Sequence, residues 1–492
     1  MTVNEPGVAT ATIVSALRDA GLLVDAHDAL PAHVTAVTDD SRSVTSGTLF
    51  LAVRGADRDG HDYLPAAAAA GATAAIVDET GRTDLPAIVV QDSRRAAAVA
   101  AAAAHGFPSR SLRLVGVTGT NGKTTTVGML RHLLDDPAAR CASIGTLGVL
   151  LGSEGTEMPG GSGLTTPGPV ELQRVLRTLV DAGAGTVAME TSSHALHQRR
   201  VEGLAFAVGV FTNLTRDHLD YHVTMEAYLA AKALLVDALT ANGTAVVNAD
   251  DDGWGSLRAA ARTLRFGVSE AADVRAEAVR YSPRGSQWTL ACGADRHDVR
   301  LPLIGDFNVA NALAAAAAAI ALGVTVIEVA RRLTTMPQVP GRLEIVNEEP
   351  TVLRDYAHTP DALERALAAV RPFATGRLIV VFGCGGDRDR GKRPEMGRIA
   401  QEHADLAIVT SDNPRTEDPE RILDDVEAGM QGPHVRIEER RAAIAHALAT
   451  SRAGDVVLLA GKGHETYQVR GTVKHPFDER TIVRELLTTR NP

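Results

Sequence analysis

Aromatic residues are scarce in this sequence, 3% of the chain with two tryptophans, and the three cysteines (Cys141, Cys292 and Cys384) are odd in number and far apart. That spacing supports neither a disulfide framework nor a thiolate metal site, and it fits a reducing cytosol. Basic excess is also missing: 50 Lys and Arg face 60 Asp and Glu, a net charge of −10. A protein gripping nucleic acid by its phosphates needs a basic face, so this balance argues against that class. Small anionic ligands in locally basic pockets stay open. No long hydrophobic run occurs. The best candidate, residues 312–327, is alanine-rich and short for a bilayer span, and it reads as a buried helix. The first residues lack a basic stretch leading into an apolar one, so no signal peptide is expected.

What is present is 492 residues, 45% hydrophobic and 22% charged, an ordinary globular profile. That length accommodates roughly two to four domains. The chain is organised around residues 112–126. An apolar run at 112–117 reads as a buried strand, glycines sit at 116, 119 and 122, and a helix-compatible run occupies 127–134. Strand, glycine-rich turn and helix N-terminus together cradle a phosphate chain. Gly119, Thr120, Asn121 and Gly122 supply the turn. Lys123 would reach the outer phosphates, and Thr124, followed by Thr125, can place a hydroxyl on Mg²⁺. Val117 stands where the strict G-x-x-x-x-G-K-[ST] pattern has glycine, so the loop is a variant.

Before this loop, strands at 34–40, 48–53, 72–77 and 87–90 alternate with helices at 12–20 and up to 70, which predicts a small α/β unit. Asp40-Ser41-Arg42 at a strand end is a turn or a polar-ligand contact. After the loop comes a strand at 141–149. Thr165-Thr166 then opens a helix from about 170, as N-cap or anion holder. A strand at 186–189 runs into Glu190, where a carboxylate beside a phosphate loop would ligate Mg²⁺. A strand at 207–212 delivers the polar stretch 213–222. There His218 could serve a second cation, although a lone histidine is usually structural. The helix 225–239 carries Lys232, which by pattern alone is a solvated or snorkelling lysine. Asn308 and Asn311, three apart, share a helical face and either meet one ligand or cap the helix.

Residues 340–342, Pro-Gly-Arg, read as a linker into a third unit. Its strands at 351–353, 377–382, 406–410 and 456–460 each run into polar groups, the expected crevice of a doubly wound sheet. The glycine-rich turn at 383–386 is followed by charges where a nucleotide fingerprint has a helix start, so a second nucleotide site is not expected.

Taken together and in order, GTNGKTTT (119–126), ETSSHALHQRRV (190–201), NLTRDHLDYH (213–222), the lysine in YLAAKALL (228–235), NVAN (308–311), DYAHTP (355–360), DNPR (412–415) and GKGHE (461–465) resemble the Mur ligases of peptidoglycan assembly. The resemblance runs from Asp40 to the C-terminus. It implies an α/β protein of three domains: an N-terminal UDP-substrate-binding domain (1–108), a central P-loop-type ATPase (109–338) and a C-terminal Rossmann-like domain (339–492). It also implies the reaction. ATP phosphorylates the γ-carboxylate of D-Glu in UDP-MurNAc-L-Ala-D-Glu, and the amine of a diamino acid attacks the acyl phosphate to form an amide. By the same resemblance, Thr124 and Glu190 hold one Mg²⁺, and His218 and Lys232 a second. A cationic lysine cannot ligate Mg²⁺, and in the family this lysine carries a CO₂-derived carbamate. Asn308, Arg342 and Asp355 would take the adenine, γ-phosphate and ribose regions. Ser41, Thr165, Thr166, Ser192, Gln198 and Arg200 match positions contacting the UDP-dipeptide.

Asp412-Asn413-Pro414-Arg415 resembles the form of the family that takes meso-diaminopimelate. Arg388 and Arg415 would clamp its carboxylates, Glu465 would hold the distal ammonium, and Gly461 lies at the same site. Lysine, lacking the distal carboxylate, would leave an arginine buried and unpaired. The alternative is another amine, L-lysine or LL-diaminopimelate, or a folylpolyglutamate-type substrate. One departure is Thr191, where valine is common in related chains. The expectation is a cytoplasmic monomer acting on small molecules.

Overall fold

The computed structural model describes residues 7–55, 58–161, 163–258 and 260–490. By its contacts the chain divides into two units. One comprises Met1–Arg275, Leu290–His297 and Ala310–Arg332; the other comprises Ala276–Thr289, Asp298–Val309 and Leu333–Pro492.

In the first unit, short β-branched and alanine runs build a five-stranded sheet in the order Leu23–Ala26, Ala87–Val90, Ala72–Val77, Thr48–Leu51, Val37–Thr38. All pairs are parallel except the first. Helix Ser93–Ala104 buries six alanines, and four of them (Ala96, Ala97, Ala100 and Ala103) share the core of this sheet, where small side chains let helix and sheet approach closely. The side chain of Asp92 caps that helix by accepting from the N–H groups of Arg94 and Arg95.

The same unit carries a larger sheet ordered Thr156–Glu157, Gly148–Leu151, Arg140–Gly145, Ala184–Glu190, Arg113–Thr118, Phe206–Phe211, Leu239–Asn248, Arg262–Gly267. From Arg140–Gly145 onward through this list the pairing is parallel. Glu190 therefore emerges beside the loop that follows Thr118: Glu190 pairs with Val117, and Phe211 with Thr118. The strand expected over 141–149 is instead a hairpin. Gly148 takes φ +88° and turns the chain back, pairing Gly148 with Gly145. The buried helix expected at 312–327 ends at Ala321, and a second helix, Val326–Thr334, follows.

The second unit has a six-stranded sheet ordered Glu344–Asn347, Thr351–Asp355, Val456–Ala460, Leu378–Phe382, Leu406–Val409, Val435–Arg436, parallel after the first pair. Its central strands are buried on both faces. Leu378, Val380 and Phe382 pack against Leu363, Met396 and Leu423 on one side, while Ile379 and Val381 meet Ile444, Leu448 and Val483 on the other. Helix-covered parallel strands explain why these segments read as unbroken apolar runs.

Candidate ligase site

The loop between strand Arg113–Thr118 and helix Lys123–Leu134 turns on Gly119 (φ +147°) and Gly122 (φ +85°). Side chains on these two would run into Thr212 Oγ1 and Asn311 Oδ1 respectively, so glycine is required by both conformation and space. The loop is pinned from the neighbouring strand exit. Asn213 Oδ1 accepts from Asn121 N–H at 2.8 Å, and Thr212 Oγ1 donates to Asn121 O at 2.7 Å. Thr124 and Thr125 are buried at the helix start.

Two lysines converge on one carbonyl here. Lys123 Nζ donates to Gly119 O at 2.9 Å and to Thr120 O at 2.8 Å, and Lys232 Nζ donates to Gly119 O at 2.8 Å. Lys232 is 1% exposed and lies 4.2 Å from the centroid of the Tyr228 ring. The solvated lysine suggested by its helical pattern is therefore corrected: helix Met225–Asp237 turns this position into the core. Burial first, and then the like charge of Lys123, hold the Lys232 amine well below the ordinary lysine range.

Glu190 is 1% exposed. Its carboxylate is oriented by Thr146, whose N–H donates to Oε1 at 2.8 Å and whose hydroxyl donates to Oε2 at 3.3 Å. Thr165 Oγ1 is 3.5 Å from that hydroxyl, and Thr166 Oγ1 donates to Glu190 O at 2.8 Å. Ser192 caps the short helix that follows and contacts Thr166; Arg200 donates to Thr166 O at 3.0 Å and to Gln198 Oε1 at 2.6 Å. Thr165, Thr166, Ser192, Gln198 and Arg200 thus form one connected group. Ser41 lies on a turn of the five-stranded sheet. Two residues before it, burial chiefly raises the Asp39 carboxyl above its usual range, and the like charges of Asp40 and then of Glu171, in the first turn of helix Pro169–Asp181, add to it.

His218, at φ 52°, stacks edge-on against His194, ring centroids 4.8 Å apart, and His194 lies 4.2 Å from Tyr221. Burial is the main cause that lowers the His218 imidazole below its usual range, with Lys123 and Lys232 adding to it. Thr146, Tyr221 and Tyr228 escaped the reading of the residues. Tyr221 and Tyr228 sit inside or beside the motifs quoted, but only the fold turns them onto the site.

In the second unit, Asp355 ends its strand with both carboxylate oxygens engaged, by Ala357 N–H at 2.8 Å and Leu343 N–H at 2.7 Å. Burial raises its pKa, against the pull of Arg342. The Arg342 guanidinium lies 5.0 Å from the Tyr356 ring centroid. Asn308 is buried and donates to Ile304 O at 2.7 Å.

Arg388 and Arg415 meet at one loop. Arg388 Nη1 donates to Asp387 O, and Arg415 Nη1 to Gly386 O at 2.8 Å. A side chain on Gly385 would touch both arginines. The loop is anchored beneath by the fully buried Arg393, paired with Glu417 at 2.9 Å. Beside it, Asn413 Nδ2 donates to Glu465 Oε2 at 2.8 Å, and Asp412 is buried against Gly461. Pro414 O accepts from Glu417 N–H.

Among the described residues, no three His, Cys, Asp or Glu side chains group to hold a metal ion unaided. The Thr124 hydroxyl and Glu190 carboxylate are the hard oxygen donors that Mg²⁺ takes, with nucleotide oxygens able to complete its shell. Lys232 fits such an ion only as an oxygen-bearing derivative.

A phosphate loop, a buried carboxylate beside it and a doubly wound second unit define a nucleotide-binding protein of the α/β class. Three family models match: "Mur ligase family, catalytic domain" over residues 33–115, "Mur ligase middle domain" over 117–319 and "Mur ligase, glutamate ligase domain" over 341–463. The chain belongs to the Mur ligase family. It is 45% identical over 470 residues to the UDP-N-acetylmuramoyl-L-alanyl-D-glutamate–2,6-diaminopimelate ligase of Geobacillus kaustophilus, covering 93% of this chain and 95% of the relative. It is 46% identical over 471 residues to the ligase of the same name from Gloeobacter violaceus, covering 93% and 94%. A solved structure of a ligase bearing that name superposes with a TM-score of 0.67 at 34% identity, over 94% of this chain and 96% of the other.

Proposed function

We propose that the chain joins meso-2,6-diaminopimelate to the D-Glu γ-carboxylate of UDP-MurNAc-L-Ala-D-Glu, using ATP and passing through an acyl phosphate. The names of its relatives support the substrate pair. The observation that carries the chemistry is the convergence of Lys123 and the buried Lys232 on Gly119 O, beside Glu190. Phosphorylating a carboxylate requires two anions to meet; the Lys123 ammonium and the loop N–H groups would offset that repulsion where charge develops, while Lys232, whose charged form burial and Lys123 disfavour, would serve there as a ligand.

In this reading residues 1–108 bind the UDP end, 109–338 bind ATP and 339–492 bind the amino acid. Gly119 to Gly122 and Lys123 cradle the phosphates. Thr124, Glu190, His218 and a carbamylated Lys232 would hold Mg²⁺, which supplies charge neutralisation between nucleotide and acyl group. A buried amine held below the ordinary lysine range is the nucleophile that CO₂ requires to form a carbamate. Thr166, Ser192, Gln198 and Arg200 orient the dipeptide. Asn308, Arg342 and Asp355 bind the nucleoside side. Arg388 and Arg415 clamp the carboxylates of the diamino acid, with Asp412, Asn413, Pro414 and Gly461 shaping the pocket and Glu465 taking the distal ammonium. No helix among the described residues is long and apolar enough to cross a membrane, and we place the reaction in the cytoplasm, by a monomer.

The test is ADP release by purified protein given ATP, Mg²⁺, UDP-MurNAc-L-Ala-D-Glu and an amine panel. Turnover with meso-diaminopimelate far above L-lysine is expected. Turnover with LL-diaminopimelate or L-lysine above the meso acid would change the amine, and no turnover with any diamino acid would overturn the reading.

A further inference from the structure

Lys462 is 0% exposed and has no role in the reaction described so far. Its Nζ donates to Glu465 Oε2 at 3.1 Å and to Asn413 Oδ1 at 3.2 Å, with the Phe477 ring centroid 6.0 Å away. Asn413 closes the triangle. Its Nδ2 donates to the same Glu465 Oε2 at 2.8 Å, while its Oδ1 also accepts from Val469 N–H at 2.9 Å. Every polar atom of the Asn413 amide except one N–H is thereby committed, which fixes both the amide and the carboxylate it touches. Glu465 Oε2 is saturated by a buried ammonium and an amide, whereas Oε1 takes no hydrogen bond from the described residues.

We propose that Lys462 is a positioning and specificity-determining residue for the amine substrate, and this rests on the function proposed above. By occupying Oε2 it presents Glu465 through Oε1 alone, in one orientation, to the distal ammonium of the diamino acid. Its charge also offsets that of Glu465. Arg388, Arg415 and Lys462 then face Glu465 and the buried Asp412, which leaves the pocket net positive, a balance that suits an amino acid with two carboxylates and disfavours one that is net cationic.

The test compares wild type with Lys462→Met and Lys462→Gln, each alone and combined with Glu465→Gln, by steady-state kinetics in each substrate. Glu465 released from its fixed orientation loses its hold on the distal ammonium, and losing a hydrogen bond between charged groups corresponds to at least about a tenfold loss in binding, so the amine KM should rise by about that factor in Lys462→Met. The KM for ATP and the kcat should stay within about threefold, and the preference for diaminopimelate over L-lysine should narrow. Lys462→Gln, which keeps a donor of similar reach without the charge, should show a smaller rise. On the Glu465→Gln background either change should add little, because the partner it positions is already altered. An unchanged amine KM, an equal rise in all three KM values, or full additivity with Glu465→Gln overturns the proposal. A wild-type protein that uses no diamino acid overturns the underlying function as well, whereas an active wild type with an indifferent Lys462→Met overturns the lysine's role alone.

Discussion

Replacing Lys232 separates its proposed chemistry from its place in the core. Two Nζ atoms bound to one oxygen at 2.9 and 2.8 Å lie no more than about 6 Å apart. At an effective dielectric near 20, two unit charges at that distance repel by on the order of 3 kcal/mol. Burial adds to this, and no carboxylate among the described residues bonds to Lys232 in return. The ammonium is therefore the costly form, and the free amine that reacts with CO₂ is available. Lys232→Ala should lower kcat on the order of 10³-fold, the loss typical of removing one group that stabilises developing charge. Short carboxylates such as formate should restore part of the rate. ¹³C NMR after equilibration with ¹³C-bicarbonate should show a carbamate signal in the parent that is absent from the variant. Lys232→Met, which removes a buried amine and its repulsion with Lys123 and keeps the volume, should melt no lower than the parent. An undiminished rate in Lys232→Ala, or the same carbamate signal in the variant, would refute the reasoning.

The Thr191 hydroxyl is fully buried without a hydrogen-bond partner, so Thr191→Val should stabilise the protein by about 1 kcal/mol in urea unfolding and leave turnover unchanged. His464 is held down to about 4, chiefly by burial and then by Arg342. An unfolded histidine titrates near 6.5, so from about pH 6.5 down to 4 the unfolded state takes up the proton first and stability falls, while at pH 7 and above the residue contributes nothing. His464→Gln should flatten that acid limb, read as urea midpoints against pH; an unchanged slope would contradict the assignment. Arg415→Ala should raise the amine KM far more than that for ATP, since its guanidinium sits on Gly386 O at the amino-acid loop; equal effects would count against the clamp.

Much of the fold was legible where strands are apolar almost throughout. Residues 72–77, 87–90 and 456–460 form strands with those bounds, because continuous apolar runs between turn residues have few alternatives. The hairpin at 140–151 was read as one strand because a glycine's positive φ leaves no mark on the hydrophobic pattern. Strands Val274–Ser282 and Asp295–Leu301 went unread, since they alternate buried with exposed charged residues and carry little apolar signal. At the site, motif order pointed to Lys123, Glu190 and His218. The burial of Lys232 was not legible, because a lysine among alanines reads the same on either helix face. The Lys462–Glu465–Asn413 triangle joins positions some 50 residues apart in sequence, and only the parallel strands Leu406–Val409, Leu378–Phe382 and Val456–Ala460 bring their exits together.

The central claim is that ATP activates the acceptor carboxylate itself. UDP-MurNAc-L-Ala-D-Glu labelled with ¹⁸O in the γ-carboxylate, turned over with ATP and meso-diaminopimelate, tests this directly by mass spectrometry of the released phosphate. One ¹⁸O atom transferred to phosphate per labelled carboxylate turned over is the predicted result, and unlabelled phosphate alongside amide product would contradict it.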